Sequence, residues 1–342
     1  MTTVILAGDI GGTNTRLALA VTDGGRLTLV EEATFASREH AGLGAVLERF
    51  LASRQSAVER ASFGVAGPVR DGRCEATNLP WVVDSRDVAR QLGLPRVGLI
   101  NDLEASAYGI AVLEAKDFCV LNEGAQDAPG NAAIIAAGTG LGEAGLLWDG
   151  ARHRPFATEG GHASFAPRTP LEIGLLRYLL PQFQHVSFER VVSGPGLLNI
   201  YRFLRDTAKG DEPPWLAEEM DRRDPAAVIA EAALQGRNEL CNQALELFVG
   251  IYGAEAGNLA LKVMATGGVF VGGGIAPKIL PKLREPVFLD AFSGKGRMRA
   301  LLLQMPVRVI LNEKTALLGA ARFAVLSGAT DPAAAGGRGA MR

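Results

Sequence analysis

The chain has 342 residues, with 35 basic and 37 acidic side chains for a net charge of −2, a length that predicts about two domains. With 48% hydrophobic residues and a pI near 6.2 it reads as a soluble globular protein, and this balance excludes a general attraction to nucleic acid or acidic membranes. No basic patch offsets the balance, no apolar run reaches the roughly 18 residues of a spanning helix, and MTTVILAGDIGG lacks the basic start of a secretory signal.

Cys74, Cys119 and Cys241 are too far apart for a dense disulfide framework or a CxxC-type zinc site, the usage expected of reduced thiols in the cytoplasm. The unusual feature is 42 glycines, about 12% of the chain against a typical ~7%. They gather after apolar segments, where a missing side chain lets a backbone approach a ligand.

Thr3–Ala7 predicts a strand running into Gly8-Asp9-Ile10-Gly11-Gly12-Thr13-Asn14-Thr15, and Arg16–Val21 resumes a strand with apolar residues on alternate faces, which makes a hairpin. A helix is predicted over Gly44–Ser56, where Val46, Leu47, Phe50 and Leu51 share a face. Ala61–Ala66 and Val97–Ile100 read as buried strands. The second ends on Asn101-Asp102, and Asp102–Tyr108 opens a helix with acidic residues in its first turn. Ala132–Ala137, a glycine turn and Ala144–Trp148 echo the first hairpin, through an internal duplication or as an unrelated second turn. Asp211–Pro225, Pro-rich and charged, predicts a surface excursion. Asn238–Lys262 has the apolar spacing of a long helix. Gly267–Val271 predicts a strand ending on Gly272-Gly273-Gly274-Ile275 before another helix, and the small-residue tail 327–342 is expected to fray.

There is no G-x-x-x-x-G-K-[ST] segment, so the chain is not a P-loop enzyme. Gly140–Gly145 spells G-x-G-x-x-G, but strand-like residues follow it where a dinucleotide fold needs a helix. A phosphate cradle without lysine needs exposed backbone N–H groups, glycines and a hydroxyl. Gly11, Gly12, Thr13 and Asn14 offer these, with Asp9 placed to hold magnesium through water; the plainer reading is a hairpin with a polar turn. Gly138-Thr139-Gly140 is a second candidate cradle and Gly272-Gly273-Gly274 a third glycine approach. The three would suit a nucleotide held between two domains, the last under the adenosine. Asn101-Asp102 either turns a carboxylate to a cleft or caps a helix. Glu159-Gly160-Gly161-His162 separates a carboxylate and an imidazole by two glycines, a pair suited to a polyhydroxyl ligand. His40, His153 and His185 have no metal-ligand spacing, and Glu189 reads by default as a first-turn acid favoured by the helix dipole.

GDIGGTNTRLALA, LIND at 99–102, AAGTGLGEA, EGGHASFAP, ERVVSGPGLLNIY and VFVGGGIAPK follow one another in this order. Together they make the chain resemble the bacterial ATP-dependent glucokinase family from about Ile5 to Gly319. The resemblance implies a two-domain α/β actin-like (ribonuclease H-like) ATPase fold with an interdomain cleft. The expected small domain is 1–112 plus about 313–326 and the large domain 113–312. It places the phosphate hairpin on Asp9, Gly11, Gly12, Thr13 and Asn14, the second phosphate turn on Gly138, Thr139 and Gly140, and the adenosine-side glycines on Gly273 and Gly274. It places the glucose ligands on Asn78, Asn101, Asp102, Glu159, His162 and Glu189, with Asp102 as catalytic base, and implies ATP, Mg²⁺ and a homodimer. The repressor–kinase relatives carry a CxCGxxGC zinc cluster after the E-x-G-H segment, and residues 163–200 here contain no cysteine. Glu143 departs from the family pattern beside the second phosphate turn.

The expected reaction is phosphoryl transfer from Mg·ATP to the 6-hydroxyl of glucose, which rests on placement and charge neutralisation more than on covalent help. Another hexose, mannose or glucosamine, is the alternative within that class. A sugar-responsive regulator on this fold would add a DNA-binding helix-turn-helix, whereas a strand is expected from Val4. A non-catalytic nucleotide switch would not need the Asn101-Asp102 and Glu159–His162 pairs.

Overall fold

The computed structural model describes residues 3–23, 26–52, 57–76, 79–125, 129–207 and 212–328. Asn78, the end of the helix expected to reach Ser56, and the tail beyond residue 328 lie outside the described residues. No helix among the described residues is long and apolar enough to cross a membrane. The chain divides into two compact units, Met1–Glu114 with Lys314–Arg342, and Ala115–Glu313.

The first unit contains β1 (Thr3–Ile10), β2 (Asn14–Asp23), β3 (Arg26–Ala36), β4 (Arg60–Val65), β5 (Val69–Arg70), β6 (Arg73–Glu75), β7 (Val82–Asp84) and β8 (Gly98–Asn101). Its main sheet has the order β3-β2-β1-β4-β8, and β5-β6-β7 form a small second sheet. Side chains alternate across β1 with period 2. Ile5 and Ala7 pack with Leu317, Ala320, Ala321 and Ala324 of the Thr315–Gly328 helix. Leu6 and Ile10 pack on the other face with Val46, Leu47 and Phe50 of the Leu43–Leu51 helix. Each fully buried Leu or Ile contributes about 1.5–3 kcal/mol, so the strand carrying the glycine turn is clamped from both sides.

The second unit contains β9 (Phe118–Asn122), β10 (Ala132–Ala137), β11 (Leu141–Trp148), β12 (His153–Ala157), β13 (Gly268–Gly272) and β14 (Val307–Ile310), in the order β12-β11-β10-β13-β14-β9. β10 pairs antiparallel with β11 and parallel with β13, as β1 does with β2 and β4. The echo therefore extends from the turns to the sheet order, β3-β2-β1-β4 against β12-β11-β10-β13. Two unrelated glycine turns do not explain that. The Glu239–Val263 helix, 25 residues long and capped by Asn238, runs through the core of this unit.

The structure adds detail to two expectations. The predicted excursion at 211–225 contains a helix, Pro214–Arg222, whose Leu216 is fully buried. Its proline at the first helical position is compatible with the helix, because it loses no hydrogen bond there and presets φ. The helix expected after the Gly272–Ile275 run is short, Leu280–Leu283, and follows a series of turns. Pro277 and Pro281 lack the N–H groups a continuous helix would need there.

Candidate active site

In the first unit, β1 and β2 run in register from Thr3↔Thr22 to Ile10↔Thr15, and Gly11-Gly12-Thr13 closes the turn. The Gly11 N–H donates to the Asn14 carbonyl at 2.9 Å. Ser37 supports the turn from behind: its N–H donates to the Thr13 carbonyl and its Oγ to the Gly11 carbonyl, each at 2.9 Å. With that proton committed, buried Thr15 Oγ1 donates to Ser37 Oγ at 3.0 Å. The carbonyls of Gly11, Thr13 and Asn14 are thus all engaged within the fold. Asp9 stands opposite Arg16 on β2 and beside Gly64 on β4. Burial raises its carboxyl above the usual range, and the Arg16 charge opposes that rise.

Ile10, Val65 and Asn101 share one row across β1, β4 and β8. The Asn101-Asp102 pair therefore lies at the same sheet end as the hairpin turn, two strand spacings or roughly 9–10 Å away. The capping role that the sequence left open falls to Asn101. Asn101 is the cap of the Asp102–Ile110 helix, its Oδ1 accepting from Leu103 N at 2.9 Å and Glu104 N at 3.3 Å, while its Nδ2 donates to the Gly67 carbonyl at 3.1 Å. Asp102 is the first helical residue, half-buried, and accepts from Leu103 N at 2.9 Å. The Cys74 thiol is pushed up to about 11 by burial and then by the Asp102 charge, which places that charge within electrostatic reach of Cys74.

In the second unit, Gly138-Thr139-Gly140 joins β10 to β11, closed by Gly138 N donating to the Gly140 carbonyl at 2.8 Å. A strand follows Gly140, so the G-x-G-x-x-G spelling is not a dinucleotide site. β13 ends beside β10, with Gly272 opposite Ala136. Gly273 has φ +83°, and a Cβ there would overlap the Ala137 carbonyl. The Gly273-Gly274 segment is thereby held against the second turn, and Ile275 N donates to Ala137 O at 3.2 Å. Tyr252, from the long helix, accepts from Ala137 N at 3.2 Å and lies 3.3 Å from the carbonyls of Ile135 and Gly272. Sequence reading missed it; the available signal was a tyrosine on a helix buried on every side, whose hydroxyl must find a partner.

Glu159, His162 and Glu189 come together in the same unit. His162 Nε2 is 3.9 Å from Glu159 Oε2, and its Nδ1 is 4.0 Å from Glu189 Oε1. Glu189 is more than a first-turn acid, because its Oε2 accepts from Leu141 N at 3.1 Å, directly after the second turn. A Cβ on Gly161 would overlap the Leu141 carbonyl, so the Glu159–His162 segment passes too close to β11 for any side chain. His162 and Glu189 line a cavity of about 390 Å³ with His185, Ser187, Gln182 and Arg190.

Two sheets of one topology, each with a glycine–hydroxyl turn at the same strand end, define the actin-like ATPase fold, and the relatives that share it are sugar kinases. Residues 6–327 match the sequence model of the family described as Glucokinase. The chain is 45% identical over 335 residues to a glucokinase from Nostoc sp., covering 93% of this chain and 98% of that one. It matches the crystal structure of a glucokinase from an Antarctic psychrotroph with a TM-score of 0.82 and 32% identity, over 94% of this chain and 99% of that one. A ROK family glucokinase from Streptomyces griseus, solved in complex with glucose and AMPPNP, has a TM-score of 0.64 at 24% identity over 94% of this chain and 99% of that one, and shares the fold alone. The chain belongs to the glucokinase family.

Proposed function

We propose that this chain transfers the γ-phosphoryl group of ATP to the 6-hydroxyl of glucose, and that the residues above divide the work. Gly11, Gly12, Thr13 and Asn14 hold the phosphates with Gly138, Thr139 and Gly140, while Gly273 and Gly274 let the adenosine approach the backbone. Asn101, Glu159, His162 and Glu189 hold the sugar hydroxyls, and Asn78 joins them by resemblance. Asp102 accepts the hydroxyl proton. A loose transition state needs little early deprotonation, so Asp102 mainly orients the nucleophile and takes its proton as the new bond forms.

The observation that carries this reading is the double contact of Glu189. One oxygen accepts from the backbone beside the second turn and the other faces His162. One side chain thereby ties the phosphate turn to the polyhydroxyl-binding segment, as transfer between their ligands requires.

The donor set fits magnesium carried by the nucleotide. Asp9 offers one hard carboxylate, and among the described residues no three His, Cys, Asp or Glu side chains are grouped as a metal site. Magnesium keeps several waters and takes one or two carboxylates plus substrate phosphates, so Asp9 would hold it through water. When bound, it supplies neutralisation of phosphate charge. Resemblance supports a homodimer, and three buried free cysteines support a reducing, cytoplasmic setting. Neither nucleic acid nor membrane enters the reading.

A coupled kinase assay across hexoses and donors tests it. Glucose with ATP should give the highest kcat/KM; a higher value for mannose or glucosamine would overturn the substrate assignment. Light scattering should give about twice the 36.0 kDa chain mass.

A further inference from the structure

Glu143 lies on β11 with its side chain 1% exposed, and its Oε1 accepts from no N–H or hydroxyl group. Its carboxyl is hydrogen-bonded to that of Glu255, on the long helix and 0% exposed. Two carboxyls make that contact only if one carries a proton. The remaining groups around the pair are few. From the same helix, Asn258 Nδ2 donates to Glu255 Oε2 at 2.7 Å, Lys262 Nζ donates to Oε1 at 3.2 Å, and the Tyr252 hydroxyl feels the Glu143 charge. From the following segment, Lys295 acts on Glu255 electrostatically while donating to Asn258 Oδ1 at 2.6 Å and the Ala254 carbonyl at 2.8 Å.

The other side of Glu143 is the sugar segment. A Cβ on Gly160 would overlap Glu143 Oε2 and lie 2.9 Å from its carboxyl carbon. Thr158 Oγ1 donates to the Glu143 carbonyl at 2.8 Å and accepts from Gly160 N at 3.2 Å. Gly160 therefore rests directly on the Glu143 carboxyl, with Glu159 and His162 on either side of the glycine pair.

We propose that Glu143 is a positioning residue for the sugar site, and that the proton it shares with Glu255 holds Gly160, and with it Glu159 and His162, in the binding arrangement. The proposal rests on the reading that Glu159 and His162 hold glucose. Loss of the proton leaves two adjacent buried negative charges. They separate by moving Glu143 toward Gly160, where there is no room. Burial, reinforced by the Glu255 charge and opposed by Lys262, pushes the Glu143 carboxyl up to about 8. If glucose binds only the protonated pair, linkage raises Kd about twofold at pH 8 and about tenfold at pH 9. Burial also pushes the Lys295 ammonium down to about 8, so a titration in this range has two candidate owners, which one variant separates.

The test is calorimetric titration of glucose into nucleotide-free protein between pH 6.5 and 9, for wild type, Glu143→Gln and Glu255→Gln. Glutamine supplies an N–H where the shared proton sat and does not titrate. Wild-type Kd should rise about tenfold from pH 7 to 9. Glu143→Gln should keep its affinity to within about twofold over that range, with the alkaline loss in wild-type turnover appearing in KM for glucose and not in kcat. Glu255→Gln should flatten the profile in the same way and serves if the first variant does not fold. Parallel pH profiles for wild type and the Gln variants would overturn the proposal and assign the titration to Lys295. A pH-independent wild-type affinity would overturn it as well. No glucose binding by wild type at any pH would remove the sugar-site reading and the proposal with it.

Discussion

Asp102→Asn separates a reacting carboxylate from a helix cap. The cap is occupied by Asn101, whose Oδ1 accepts both first-turn N–H groups. Asp102 adds its bond from Leu103 N at 2.9 Å, which an asparagine oxygen also accepts, and a favourable charge at the helix start. Losing that charge costs about 0.3–1 kcal/mol, so the melting temperature should move little. Removing a proton acceptor from phosphoryl transfer should lower kcat by roughly 10²–10⁴, about 2.7–5.4 kcal/mol in the barrier. The two effects differ severalfold in energy and are read by different instruments, a coupled assay at saturating substrates and a thermal melt. ATP affinity should survive, since Asp102 stands two strands from the hairpin. A folded variant with kcat within a few-fold of wild type would refute the reasoning and leave Asp102 as a helix-start residue only.

Gly12→Val should weaken ATP binding by about tenfold or more, because a branched side chain would stand in the turn proposed to receive phosphate; glucose binding without nucleotide should be unchanged in the same calorimetry. Chelation should abolish activity and magnesium alone restore it, whereas stoichiometric zinc lost together with activity, measured by elemental analysis, would revive the zinc-bearing branch. Tyr252→Phe keeps the ring contacts with Phe248 and Phe288 but leaves the buried Ala137 N–H without its acceptor. Urea denaturation should show a loss of about 1–3 kcal/mol, accompanied by weaker ATP binding.

The two glycine hairpins, the Asn101-Asp102 strand end and the glycine pair before His162 were legible in the sequence. Each is a local pattern: apolar alternation and a glycine or capping residue act over a few residues, and the backbone obeys them wherever the segment lies. The helix at 214–222 within the surface excursion carried a local signal too, a proline at its start. The supports of the site were not legible. Ser37 reaches Gly11 across 26 residues, Glu189 reaches Leu141 across 48 and Tyr252 reaches Ala137 across 115. From the sequence alone, Glu143 is a misplaced charge beside a phosphate turn. Only the tertiary fold brings Glu255, from the long helix, and Gly160, from the segment after β12, to it. The sequence alone determined where the glycine turns and polar strand ends fall. The tertiary structure decided which distant side chains hold them, because a buried polar group is satisfied by whatever the folded chain brings within hydrogen-bond reach, and that distance has no counterpart along the chain.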